Sequence, residues 1–213
     1  MSGGMTEASV QAIYNLRKTD HFEWYLVPLF AFVVYVYMVE VERRNWNVVV
    51  AGFAFYGLEL FWEMLNALLL AFTGRSALWT TPGDSAYLIF VGLTIEISML
   101  FAVAPVIFAK ALPSDRDARV LGLPNRLFCV LAFGFLGLFV ETLLNQWGVL
   151  VWEYSFWRWP NLWLLCVAYC MSFWFVALVH DMKSMRAKVA LTCGIYAVDA
   201  ISVVLFVHVL DWI

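Results

Sequence analysis

Long apolar runs alternate along the chain with short polar connections. A helix that crosses a bilayer needs about 20 predominantly apolar residues, and the runs place such spans near 24–41, 48–71, 87–109, 127–149, 162–179 and 189–210. The pattern predicts an all-α, polytopic bundle of about six transmembrane helices. Pro28 and Pro105 fall inside the first and third spans. Neighbouring helices can satisfy the freed backbone groups there, so both prolines are expected to mark kinks. Residues 1–23 are mixed and polar, without an apolar core ahead of a small-residue cleavage site, and are expected to be retained. They read as a segment that either forms a short interfacial helix over 6–16 or stays disordered. The membrane domain is expected over 24–213.

Composition agrees with this reading. The hydrophobic fraction is 64% and only 14% of residues are charged, with a mean hydropathy of +0.82, well outside the usual soluble range. A chain of 213 residues then has no room for a separate soluble domain. The connections between spans one and two, three and four, and five and six hold nine Lys and Arg (43, 44, 110, 116, 119, 126, 183, 186 and 188), against four elsewhere (17, 18, 75 and 158). The positive-inside rule puts those three loops in the cytoplasm and both termini outside. The expected location is a bacterial inner membrane or an equivalent one.

Several function classes drop out. The net charge is -3 and basic residues are few, which argues against nucleic-acid binding. His21, His180 and His208 are dispersed near span ends, so the histidine-rich iron sites of membrane desaturases and hydroxylases have no counterpart. Cys129, Cys166, Cys170 and Cys193 lie within the spans and read as small packing residues, not as a disulfide or a metal site. No phosphate-binding loop, dinucleotide fingerprint or nucleophile elbow is present. No cofactor and no metal is implied.

What the chain does carry is acid in the wrong solvent. Glu59, Glu63, Glu96, Glu141 and Asp199 sit inside the apolar runs with no Lys or Arg beside them. An acidic residue at the centre of a span costs about 2.5–3.5 kcal/mol on insertion scales. Such groups must be protonated, hydrogen-bonded to one another, or presented to a cation. Glu59, Glu63 and Asn66 fall at i, i+4 and i+7, one stripe of a helix that should face the bundle interior. At about 1.5 Å of rise per residue, the expected spans put Glu63, Glu96 and Glu141 at one level, with Glu59 and Asp199 a turn or two deeper.

Two connections predicted on the outer side are rich in aromatics. One contains Trp79-Thr-Thr-Pro82 and the other Trp152-Glu-Tyr154-Ser-Phe156-Trp157-Arg158-Trp159-Pro160. Glu63-x-x-Asn66 precedes the first Trp-x-x-Pro, and Glu141-x-x-x-Asn145 precedes the second at nearly the same interval. This suggests a parallel repeat of spans two and three with spans four and five, and a site between the halves. An aromatic belt at the membrane interface is the plainer reading of the same tryptophans.

Carboxyl groups in an apolar, aromatic chamber suit acid catalysis. A neutral acid can protonate an olefin or epoxide while an ionised neighbour takes a proton back, and aromatic faces stabilise a passing cation. The same groups suit binding or proton-coupled transport of an organic cation, or they serve as hydrogen-bonding glue between helices.

Two segments resemble known families. Leu60-Phe-Trp62-Glu63-Met-Leu65 and Ala197-Val198-Asp199-Ala200-Ile-Ser202 resemble the Asn-x-x-Trp-Glu-x-x-Tyr and Val-Asp-Gly-Ser segments of small membrane-integral terpene cyclases of meroterpenoid pathways. That resemblance implies acid and base roles for Glu63 and Asp199. The family usually has seven spans, and this chain has Glu59 and Asn66 where the family pattern has Asn and Tyr. Glu141-x-x-x-Asn145-x-x-Gly148, followed by Trp152-x-Tyr154-x-Phe156 and Pro160, is similar to segments of membrane carotenoid hydratases. Both resemblances imply acid chemistry on a lipid-soluble isoprenoid. The expected catalytic set is Glu63, Asp199, Glu141, Glu59 and Glu96, and the expected substrate wall is Trp62, Asn66, Trp79, Asn145, Trp152, Tyr154, Trp157 and Trp159.

Overall fold

The computed structural model describes residues 4–19 and 23–213; His21 lies outside the described residues. Among the described residues there are seven α-helices: α1 Glu7–Asn15, α2 Leu26–Glu42, α3 Trp46–Thr73, α4 Ile95–Ala111, α5 Asn125–Gln146, α6 Trp163–Asp181 and α7 Met185–Val203, the last continued by a π-helical turn over Val204–Val209. Short strands fill the connections: β1 Trp79–Thr80, β2 Leu88–Phe90, β3 Leu93–Thr94, β4 Arg119–Val120, β5 Leu123–Pro124 and β6 Val151–Trp152.

α3, α5, α6 and α7 with its continuation are long and apolar enough to cross a membrane. α2 and α4 are equally apolar but have 17 residues each, about 26 Å at the usual rise, just under the ~30 Å hydrocarbon core. The helical membrane class expected from the pattern is the class adopted, and four of the six expected spans have full spanning length.

α3 is the hub. It packs on α2, α4, α6 and α7, while α5 packs chiefly on α6. The main core lies between α3, α4, α5 and α6, where Phe55, Phe108, Val106, Val130, Phe173 and Val176 meet. Phe108 and Phe133 meet edge to face, as do Phe133 and Phe173, an arrangement that contributes beyond simple burial.

The helix ends follow local chemistry. Thr6, Thr94 and Ser184 each accept a backbone N–H three residues on at 3.3 Å, capping α1, α4 and α7. Gly74 ends α3 at φ +59°, a left-handed conformation that glycine adopts without a Cβ penalty. The Thr94 cap corrects one expectation. The third apolar run was expected to be helical from residue 87, yet its first part is the β2–β3 hairpin. An apolar run has the same composition whether strand or helix, so hydropathy alone cannot place the boundary. Pro28 also departs from expectation. It occupies the first turn of α2, where a backbone N–H has no helical acceptor to lose, so no kink is required.

The molecule has two unlike ends. At the basic end, Arg126 grips Asp181 through two hydrogen bonds of 3.0 Å, Arg116 joins at 3.3 Å, and Lys110 pairs with the buried Glu40 at 2.6 Å. At the hairpin end, β1 and β6 pair antiparallel, Trp79 opposite Trp152 and Thr80 opposite Val151. α1 lies over these hairpins with Ala12 fully buried.

Candidate functional site

The two aromatic connections fold back into the bundle. After α3 ends at Thr73, the chain returns to the level of Asn66, about two helical turns below that end. There the Asn66 amide donates to the Trp79 carbonyl at 2.9 Å and its oxygen accepts from Leu78 N at 2.8 Å. Asn145 likewise donates to the Leu150 carbonyl at 2.9 Å. The paired strands are enclosed by protein, with Thr80, Thr81, Leu150 and Trp152 buried, as non-helical backbone at membrane depth must be.

Each hairpin delivers an indole to a buried carboxyl group. Trp79 Nε1 donates to both oxygens of Glu63, at 3.1 and 3.3 Å. Trp152 Nε1 donates to Glu141 Oε1 at 2.7 Å, and the Tyr169 hydroxyl of α6 bonds the other oxygen of Glu141. Glycines make these approaches possible. A Cβ at Gly92 would lie 2.5 Å from Trp79 Nε1, and one at Gly137 would lie 2.6 Å from the Tyr169 ring.

Glu59, one turn below Glu63, lies within electrostatic range of Glu141 and within reach of the Ser172 hydroxyl of α6. Glu63 in turn interacts with both Glu59 and Glu141. Three carboxyl groups from α3 and α5 thus form one cluster beneath the paired hairpins. The ion pairs of the described residues involve other acids. Glu59 Oε1 and Trp157 Nε1 are buried polar atoms with no hydrogen-bond partner among the described residues. The Trp157 ring stacks on Trp79 with centroids 5.8 Å apart.

Glu96 and Asp199 lie elsewhere. Because α4 starts at Ile95, Glu96 falls in its first turn, accepting from the Tyr25 hydroxyl and from Ala86 N at 3.0 Å; it is not level with Glu63 in mid-helix. Asp199 is buried on α7 and faces Gly57, where a Cβ would lie 3.4 Å from its Oδ2. Gly57 is two residues before Glu59, about 200° around α3, so Asp199 and the cluster occupy opposite faces of that helix.

The expected wall residues divide too. Trp79, Trp152, Trp157, Asn66 and Asn145 surround the cluster or brace its hairpins. Tyr154 donates to the Ser76 carbonyl at 3.2 Å in the loop layer above. Trp159 is 73% exposed, a position that suits an interfacial belt, whereas Trp62, in mid-α3 beside Glu63, is 43% exposed on the outer surface of the bundle. Tyr169 and Ser172 are the partners that sequence reasoning missed. A tyrosine and a serine within an apolar run carry no signal of their own, and Tyr169 reaches Glu141 across the α5–α6 contact.

A family model described as an uncharacterized membrane protein family matches residues 6–208. A protein of Archaeoglobus fulgidus, described as an uncharacterized protein, is 39% identical over 209 residues, covering 98% of this chain and 99% of its own length. The matched region runs from α1 to the π-helical turn, so the carboxyl cluster and both hairpins lie within it. Neither description names a reaction. No solved structure matches the chain.

Proposed function

The chain belongs to that uncharacterized membrane protein family, and from this premise we propose that it is an integral membrane enzyme of acid-catalysed isoprenoid chemistry, a cyclase or hydratase. The observation that carries the proposal is the carboxyl cluster of Glu59, Glu63 and Glu141 under two indole-bearing hairpins. Three neighbouring carboxyl groups in an apolar interior cannot all be ionised without a cation, since like charges repel and burial penalises each of them. At least one therefore carries a proton that it can give away.

Glu63 is the lead acid, with Glu59 beside it and Glu141 as partner. A proton passes from a neutral carboxyl to an olefin carbon or epoxide oxygen of a bilayer-soluble isoprenoid. The resulting carbocation is held against the stacked faces of Trp79 and Trp157. It then loses a proton to an ionised carboxylate or captures water. Asp199 and Glu96, held on other faces, take no part in this step. All six long helices cross the bilayer, α2 and α4 at the short end of the spanning range.

Purified protein in lipid, given prenylated quinones, squalene-like epoxides and linear carotenoids, is expected to form a cyclised or hydrated product. Glu63→Gln should lower turnover about 100-fold or more, the usual share of a positioned acid. Undiminished turnover in that variant would remove Glu63 from the chemistry.

A second reading uses the same cluster. Three acids without a basic partner, beside a stacked indole pair, also suit an organic cation exchanged for protons. Uptake of such a cation into proteoliposomes, driven by a pH gradient and abolished by Glu63→Gln, would favour the carrier over the enzyme.

A further inference from the structure

We infer that the seam between α7 and α3 is a second functional site, which takes up and releases a proton at Asp199 through the basic end of the molecule. This goes beyond the reaction proposed above and stands on different residues.

α7 is built inside out by the standards of a soluble helix. Its buried residues are Lys188, Thr192 and Asp199, while Val189, Leu191, Val198 and Ile201 are exposed. Lys188, Thr192 and Asp199 fall at i, i+4 and i+11, one stripe of the helix, and Tyr196 borders it. A membrane helix with an apolar outer surface turns its polar stripe toward protein or toward a pathway.

Every polar group on this stripe except the last has a partner. Lys188 Nζ donates to Asn47 Oδ1 and, at 2.6 Å, to the His180 carbonyl. Thr192 donates to the Lys188 carbonyl at 2.9 Å, and Tyr196 donates to the Phe53 carbonyl at 3.1 Å. Asp199 is only 5% exposed, yet neither of its oxygens has a hydrogen-bond partner among the described residues.

An ionised carboxylate left bare in this way would cost several kcal/mol. Lys188 is about 16 Å away along the helix, too far to pair with it. Among the described residues the titratable groups that face Asp199 are Tyr196 on its own helix and, through Tyr196, Tyr56 on α3 and Tyr37 on α2; none is a cation. A proton is then the neutralising ligand. The hydroxyls of Tyr196 and Thr192 mark its route toward Lys188 and the solvent.

Infrared difference spectroscopy of the full-length protein in lipid nanodiscs tests this, with pH and D2O as the probes. The wild type should show the carbonyl stretch of a protonated carboxylic acid that shifts in D2O. That component should vanish in Asp199→Asn, move in Asp199→Glu and persist in Glu63→Gln. Thr192→Val should slow its exchange several-fold, whereas Leu191→Val on the exposed face should not. A spectrum unchanged by both Asp199 substitutions, or exchange as fast in Thr192→Val as in wild type, overturns the inference. The product and uptake assays do not bear on this result, so the two proposals fail separately.

Discussion

Glu141 shows how much one residue depends on small neighbours. Its two oxygens are held from different elements, Trp152 from the re-entrant hairpin and Tyr169 from α6. Tyr169 gets there by lying over Gly137, one turn before Glu141 on α5. Gly137→Ala would drive a methyl into the ring, and overpacking of this kind costs about 1–3 kcal/mol. Thermal unfolding of the purified variant should show that loss, and an unchanged midpoint would mean the ring can move aside. Trp152→Phe removes the donor to Glu141 together with the fused five-membered ring of a buried indole. The lost hydrogen bond should cost about 0.6–2 kcal/mol, the range for side-chain hydrogen bonds within a membrane bundle, and the space left by the smaller ring adds to that cost.

At the scale of elements, the hairpins matter more than the sequence suggested. The helices were legible because hydropathy runs directly report bilayer crossing. α3, observed over Trp46–Thr73, and α6, observed over Trp163–Asp181, lie within two residues of the expected 48–71 and 162–179. The β1–β6 pairing was not legible. It joins strands that are two residues long, and nothing in either segment names the other. The apparent repeat placed Trp79 in register with Trp157, whereas Trp79 sits opposite Trp152 and stacks on Trp157. The candidate acids were recognisable by residue type, but their grouping depended on where α4 begins and on which face of α3 each neighbour packs. α1 is held by the same hairpins. Glu153 Oε1 accepts from Thr6 Oγ1 at 2.7 Å and from Thr80 Oγ1 at 3.3 Å. Glu153→Ala should therefore raise amide exchange across residues 7–15 while α3 stays protected. Unaltered exchange in α1 would show that Ala12 packing and the bonds from Thr6 N to the Arg75 carbonyl, Asn15 to the Pro82 carbonyl and Arg17 N to the Leu88 carbonyl suffice to hold it.

For the whole molecule, the two ends give the bundle a direction. The basic end carries the Arg126, Arg116 and Asp181 cluster, and the hairpin end carries α1 together with the C-terminus, where Arg17 Nη1 donates to the Ile213 carbonyl at 3.2 Å. The positive-inside rule predicts that the basic end faces the cytoplasm. Cysteine introduced at Gly4 should accordingly react with an impermeant reagent from outside intact cells, and labelling only after lysis would reverse the orientation. In that orientation the carboxyl cluster lies beneath the outer hairpins. The central claim is that this cluster protonates the bound isoprenoid, which for an olefin places the new proton on carbon. The most direct measurement is turnover of an isoprenoid olefin in D2O with mass analysis of the product. Deuterium should enter at carbon with the wild type and with Asp199→Asn, but not with Glu63→Gln. Equal incorporation with Glu63→Gln, or a product free of deuterium at carbon, would contradict it.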